Sequence, residues 1–98
     1  MMNHVLDRIL EEKIIAIVRG ISSSQITLLA EALQAGGVHC IEVTFDQSSP
    51  EGQADTLASI RSLCKQFGST ACIGAGTVMT TEQVRLAAEA GAEYMISP

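Results

Sequence analysis

An α/β fold with parallel strands is what this sequence predicts, on three grounds. From Lys13 onward, short β-branched runs alternate with helical patterns, in the order KIIAIVRG, SSSQITLLAEALQAGG and VHCIEVTF, the signature of βα units. The run Ile14 to Val18 is apolar at every position, which suits a strand covered on both faces. A faint internal repeat at an offset of 55 residues lays EALQAGGVHCIEV (31–43) over LAAEAGAEYMISP (86–98), with Ala35/Ala90, Gly36/Gly91 and Ile41/Ile96 identical. One supersecondary unit is therefore used twice.

The elements follow in order. A leading helix is expected over about Val5 to Glu12, then a first strand at Ile14 to Val18. The first crossover helix has capping-box spacing at Ser22 and Gln25. Its apolar stripe is Ile26, Leu29, Ala30 and Leu33, and Gly36 with Gly37 ends it. The second strand is His39 to Phe45. Ser49 can cap the next helix with Pro50 at its first position, and Leu57, Ile60, Leu63 and Cys64 form its stripe up to Gly68. ACIGAGTV, residues 71–78, is the third strand. Thr80 with Gln83 repeats the capping-box spacing, Val84, Ala87 and Ala88 face inward, and Gly91 stops the helix before a fourth strand, EYMIS. Four parallel strands with three intervening helices fit a small open α/β domain or half of an eight-stranded barrel, and spacing alone does not choose between them.

Composition narrows the function. In 98 residues, 11 acids face 6 bases, for a net charge of -5. That balance, without a basic cluster, argues against nucleic acid or an anionic membrane as partner. No apolar run is long enough to span a bilayer. Asp7, Glu11 and Glu12 stand where a secretory signal would be basic and then apolar, so a cytoplasmic location is expected. Cys40, Cys64 and Cys72 show no C-x-x-C spacing and read as small buried thiols. His39 and Cys40 are strand neighbours that point to opposite faces, which disfavours a shared metal ion. No metal and no cofactor are expected.

Chemistry in parallel α/β folds gathers beyond the carboxyl ends of the strands. Here those ends carry Arg19-Gly20, Glu42-Val43-Thr44-Phe45, Gly74-Ala75-Gly76-Thr77 and Ser97-Pro98. Strand alternation puts Cys40, Glu42 and Thr44 on one face and the apolar Ile41, Val43 and Phe45 on the other. The apolar set suits helix packing, which aims Glu42 into a barrel interior or a sheet crevice. A carboxyl held there gains a raised pKa suited to proton transfer; the alternative is a carboxylate paired with a structural arginine or exposed at an edge. Arg19 has the planar fork to hold a carboxylate or phosphate, or Glu42 itself, or else it reaches solvent. Gly74-Ala75-Gly76-Thr77 is not a dinucleotide loop, because Met79 occupies the third glycine position and the segment follows the third strand. Its two glycines let backbone approach a ligand or relieve crowding inside a barrel. Thr77 offers a hydroxyl to a ligand or to a local hydrogen bond. Asp46 and Gln47 read as solvated turn residues, and Glu51, Asp55, Arg61, Glu82, Arg85 and Glu89 as outer helix faces without chemistry.

Taken together, IVRG, GGVxxIEVTF, IGAGTV and AGAxxxISP resemble the class I aldolases acting on 2-keto-3-deoxy-6-phosphogluconate and 4-hydroxy-2-oxoglutarate. The resemblance runs from about Val5 to the last residue. It implies a (β/α)8 TIM barrel of which this chain supplies a leading helix and the first four strands with three helices, commonly a homotrimer. It implies that Glu42 moves protons through a water during Schiff-base formation and carbon–carbon cleavage. It also implies that Thr77 and Pro98 line a pyruvate pocket and that Arg19 holds the carboxylate of a small ketoacid substrate. Some members carry an arginine four residues after the glutamate; Asp46 stands there instead, which leaves that role to Arg19.

The family's nucleophile is a lysine on strand six. Only Lys13 and Lys65 occur here, one before the first strand and one near the end of the second helix, so neither matches it. Residues 1–98 are thus expected to be a single domain, the N-terminal half of a barrel, inactive alone. Two alternatives remain at this point: a barrel isomerase, epimerase or synthase that binds phosphate, and a non-catalytic half-barrel that self-associates through its open edges.

Overall fold

The apolar runs are strands and the amphipathic stretches are helices in a computed structural model that describes residues 14–97. The order is β1 (Ile15–Val18), α1 (Ile26–Ala35), β2 (Cys40–Thr44), α2 (Pro50–Phe67), β3 (Cys72–Gly76), α3 (Thr81–Ala90) and β4 (Tyr94–Met95). The expected leading helix and Pro98 lie outside the described residues. All strands are parallel, in one sheet of order β1-β2-β3-β4. Crossovers of one hand that always step the same way keep their helices on one face, as a barrel wall requires, whereas a doubly wound sheet reverses its order. The sheet is therefore a partial barrel of the TIM type.

Local chemistry sets the helix ends. Ser49 Oγ accepts from the Gly52 N–H at 2.9 Å with Pro50 opening α2, and Thr80 Oγ1 accepts from the Gln83 N–H at 3.0 Å to open α3. Gly91 ends α3 at φ 107°, a backbone state that glycine adopts without Cβ strain. The bounds of α1 and α3 differ by 55 residues at both ends, so the sequence repeat is a structural one. The capping box expected at Ser22 does not form. Gln25 is the N-cap and makes no side-chain cap bond. The serines before it close a turn in which the Gln25 N–H donates to Ser22 O at 3.0 Å. Ser23 donates its N–H and Oγ–H to Asp55 at 3.0 and 2.6 Å. Asp55, read as an idle surface charge, instead ties the β1–α1 turn to α2.

The two faces of the sheet differ. On the helix side Val18, Ile41, Val43, Phe45, Ile73 and Ala75 pack against Ile26, Ala30, Ile60, Leu63, Ala87 and Ala90, each full-sized side chain contributing about 1.5–3 kcal/mol on burial. The stripe of α3 is not the expected one. Val84 is 41% exposed, Ala88 is exposed, and Gln83, Ala87 and Ala90 are buried. Gln83 tolerates burial because both ends of its amide are hydrogen-bonded. On the opposite face Ile15, Cys40, Cys72 and Tyr94 form a second cluster, with Cys40 and Cys72 as lateral neighbours across β2 and β3. Cys64 is half-buried, and burial, aided by the Glu93 charge, pushes its thiol up to about 11.

Candidate functional site

Register places Glu42 beside Ile17 of β1 and Gly74 of β3, on the face that carries none of the described helices. Its side chain is 6% exposed. The room comes from β3. A Cβ at Gly76 would lie 2.6 Å from Glu42 Cδ, and a Cβ at Gly74 would lie 2.5 Å from Tyr94 Cε1. Gly74 thus admits the Tyr94 ring and Gly76 admits the Glu42 carboxyl, which is the relief of crowding that the GAG sequence suggested. Burial raises the Glu42 pKa above its ordinary value, and the Arg19 charge opposes that rise. The Tyr94 hydroxyl is also pushed up, by burial first and then by the Glu42 charge, and its Oη is buried without a hydrogen-bond partner among the described residues.

Above Glu42, at the carboxyl ends of β1, β2 and β3, lies a cleft of about 370 Å3 lined by Arg19, Gly20, Thr44, Phe45, Asp46, Gln47 and Thr77. Glu42 is on the same strand face as Thr44 and two residues deeper, about 6.6 Å along a parallel strand. Arg19 is exposed and Thr77 half-buried, while Thr44 Oγ1 is buried without a hydrogen-bond partner among the described residues. Asp46 is exposed, and hydrogen bonds from the Ser48 hydroxyl and N–H hold its carboxyl below the usual range. A second cavity, of about 240 Å3, opens between the β1–α1 turn and α2 and includes Ser22, Asp55 and Ser59 but none of Arg19, Glu42 or Thr77.

Thr77 enters the cleft through its backbone. Strict alternation from Ile73 and Ala75 would send it to the helix side, but its φ is 54°. For a β-branched residue this left-handed state is a true outlier, costing about 1–3 kcal/mol. The kink ends β3 and breaks the alternation. Gln47, read as a solvated turn residue, donates from Nε2 to Thr77 O at 2.8 Å, a bond worth about 0.5–1.5 kcal/mol net.

The structure therefore gathers Arg19 and Thr77 at one cleft and places Glu42 beneath them within reach of the Arg19 charge. Pro98 lies outside the described residues. Four neighbours were given no role at the site by the sequence reading: Thr44, Tyr94, Gln47 and Gln83. Thr44 shares the strand parity of Glu42, and the GAG glycines signalled a large neighbour such as Tyr94; Gln83 signalled only a helix cap, and Gln47 left no periodic or motif signal. A cation, hydroxyls and a buried carboxyl of raised pKa can together bind a small anion and exchange a proton with it.

A family model, the aldolases acting on KDPG and KHG, matches residues 5–98. The chain belongs to the KDPG and KHG aldolase family. It is 43% identical over 70 residues to the 2-dehydro-3-deoxy-phosphogluconate aldolase of Treponema pallidum, covering 71% of this chain and 30% of that one. It is 32% identical over 94 residues to the enzyme of the same name from Haemophilus influenzae, covering 96% of this chain and 41% of that one. Among solved structures, a KDPG aldolase from Legionella pneumophila with pyruvate captured as a covalent carbinolamine superposes with a TM-score of 0.72 at 36% identity, over 86% of this chain and 37% of that one. A structure described as native KDPGal superposes at 0.73 and 31% identity, over 86% of this chain and 38% of that one. The chain thus spans well under half the length of these family members. No helix among the described residues is long and apolar enough to cross a membrane.

Proposed function

We propose that this chain supplies the proton-transferring half of the active site of a class I aldolase. The enzyme cleaves a 2-keto-3-deoxy-6-phospho sugar acid, or 4-hydroxy-2-oxoglutarate, to pyruvate and an aldehyde. The observation that carries the reading is Glu42, buried beneath the cleft and raised in pKa. The pyruvate carbinolamine captured in the Legionella relative supports a covalent amine route.

In that route a lysine amine adds to the C2 ketone, and the resulting carbinolamine loses its hydroxyl as water when Glu42 donates a proton. The iminium then accepts the electron pair of the C3–C4 bond while the C4 hydroxyl gives its proton, through a water, to the Glu42 carboxylate. The aldehyde leaves. The enamine takes a proton back at C3, and water releases pyruvate and the free amine. A carboxyl whose pKa is raised by burial is suited to both directions of transfer. Arg19 pairs with the substrate carboxylate, Thr77 adds its hydroxyl, and Pro98 walls the pocket beside β4.

Under this reading residues 1–98 form one domain, the N-terminal half of a barrel, and the complete cytoplasmic enzyme is a homotrimer. The nucleophile is then outside these residues. Lys65 is exposed near the end of α2, away from the cleft, and Lys13 precedes β1 in the sequence, where the family's strand-six lysine does not fall, so the chain alone does not turn over. Pyruvate release by the full-length protein, coupled to lactate dehydrogenase, tests the proposal. Glu42→Gln is expected to lower kcat by about 10²–10⁴-fold, and borohydride with pyruvate is expected to label the full-length protein but not the 98-residue chain. A full-length protein that releases no pyruvate, or a 98-residue chain that is labelled, overturns it.

A further inference from the structure

The kink at Thr77 is held from outside its own strand. Met79 N–H donates to Gln83 Oε1 at 2.8 Å. A backbone N–H can only donate, so this bond fixes which end of the Gln83 amide faces it and turns Nε2 the other way. Nε2 then donates to Gln47 Oε1 at 2.9 Å and to Gln53 Oε1 at 3.0 Å. With its oxygen engaged, Gln47 directs its own Nε2 to Thr77 O at 2.8 Å. One polarity runs from the Met79 amide through two side chains to the Thr77 carbonyl. Gln83 is 4% exposed and anchored on α3, whereas Gln47 is exposed on the β2–α2 loop.

We infer that Gln47 and Gln83 are positioning residues that hold Thr77 in its left-handed state, and so place its hydroxyl in the ligand cleft. The direct ladder cannot do this. The Phe45 N–H donates to Gly76 O at 2.9 Å and the Val78 N–H to Ile96 O at 3.1 Å, which pin the residues on either side of Thr77 and leave its own carbonyl to Gln47. Backbone strain persists where surrounding structure fixes it, and it clusters at ligand sites. What the cleft holds rests on the aldolase reading above.

The test is a double-mutant cycle in the full-length protein. Gln47→Leu removes the bond to Thr77 O at an exposed loop residue. Gln83→Glu keeps the acceptor for Met79 N–H but loses both donors. Thr77→Ala removes the hydroxyl itself. Each single variant is expected to lower kcat/KM about 10- to 100-fold, the scale of a small misplacement of a binding group. Gln47→Leu is expected to lower the unfolding midpoint only slightly, since it removes hydrogen bonds at an exposed loop residue and leaves the core intact. In Thr77→Ala, adding Gln47→Leu is expected to cost nothing further, because no hydroxyl remains to be placed. Unchanged kcat/KM in Gln47→Leu, or losses that multiply in the double variant, overturns the inference. The 13Cα and 13Cβ shifts of Thr77 report its backbone state whether or not the protein is an aldolase. Should the wild-type protein release no pyruvate, the aldolase reading falls, and these shifts still decide the clamp: movement in Gln47→Leu supports it and constancy overturns it.

Discussion

Adding one methyl group at either glycine of the third strand separates the site from the fold. At Gly76 the new Cβ would meet the carboxyl end of Glu42, and at Gly74 it would meet the ring of Tyr94. Neither glycine has a positive φ, so alanine fits the backbone at both and gains about 0.4–1 kcal/mol by restricting the unfolded chain. The difference lies in what must move. The Glu42 carboxyl is the end of a flexible chain, and turning it away costs about 0.5–1.5 kcal/mol of rotamer strain. Gly76→Ala is therefore nearly neutral in stability. The Tyr94 ring is rigid and buried, so Gly74→Ala carries the overpacking cost of about 1–3 kcal/mol. Activity reverses that order: a carboxyl displaced by about 1 Å loses about 10²-fold in rate. Urea denaturation and pyruvate release measured on both variants of the full-length protein give the comparison. Equal destabilisation, or full turnover in Gly76→Ala, refutes the claim that Gly76 exists to admit the Glu42 carboxyl.

Two further outcomes follow from the same contacts. Because the Glu42 pKa is raised in the folded state, the folded protein holds that proton more tightly than the unfolded chain. Its contribution to stability is complete below the ordinary glutamate value of 4.5 and is lost as pH rises through the folded value; urea midpoints of wild type minus Glu42→Gln should fall with pH across that window, and a difference that rises contradicts the burial assignment. Asp55→Ala removes the acceptor for both Ser23 bonds and is expected to cost about 1.5–3 kcal/mol, the range for hydrogen bonds to a charged group, in the same denaturation assay; a loss below about 0.5 kcal/mol, the scale of an ordinary surface substitution, restores the reading of Asp55 as an idle surface charge.

Much of this architecture could be read directly from residue order. The unbroken apolar run at Ile14–Val18, the glycine stops and the Ser49-Pro50 and Thr80/Gln83 caps each act over a few residues, where local chemistry dominates. Glu42 was legible because strand parity is strict and β2 obeys it. Thr77 lies where parity fails: only the three-dimensional clamp shows how it leaves the alternation. The contact between Gln47 and Gln83 was invisible for the same reason, since they are 36 positions apart and neither has a periodic signature. The inward face of α3 was misread because a glutamine replaces an apolar residue at a buried position, and sequence periodicity counts only apolar ones. Ser22 had capping spacing, but the contact between Ser23 and Asp55 over 32 positions outweighed it.

The most direct measurement is a 13C NMR titration of the Glu42 carboxyl in the full-length protein, repeated in Arg19→Met. The account predicts a midpoint above 4.5 in the wild type, moving higher still once the opposing Arg19 charge is removed. A midpoint at or below that value, or one indifferent to Arg19, contradicts it.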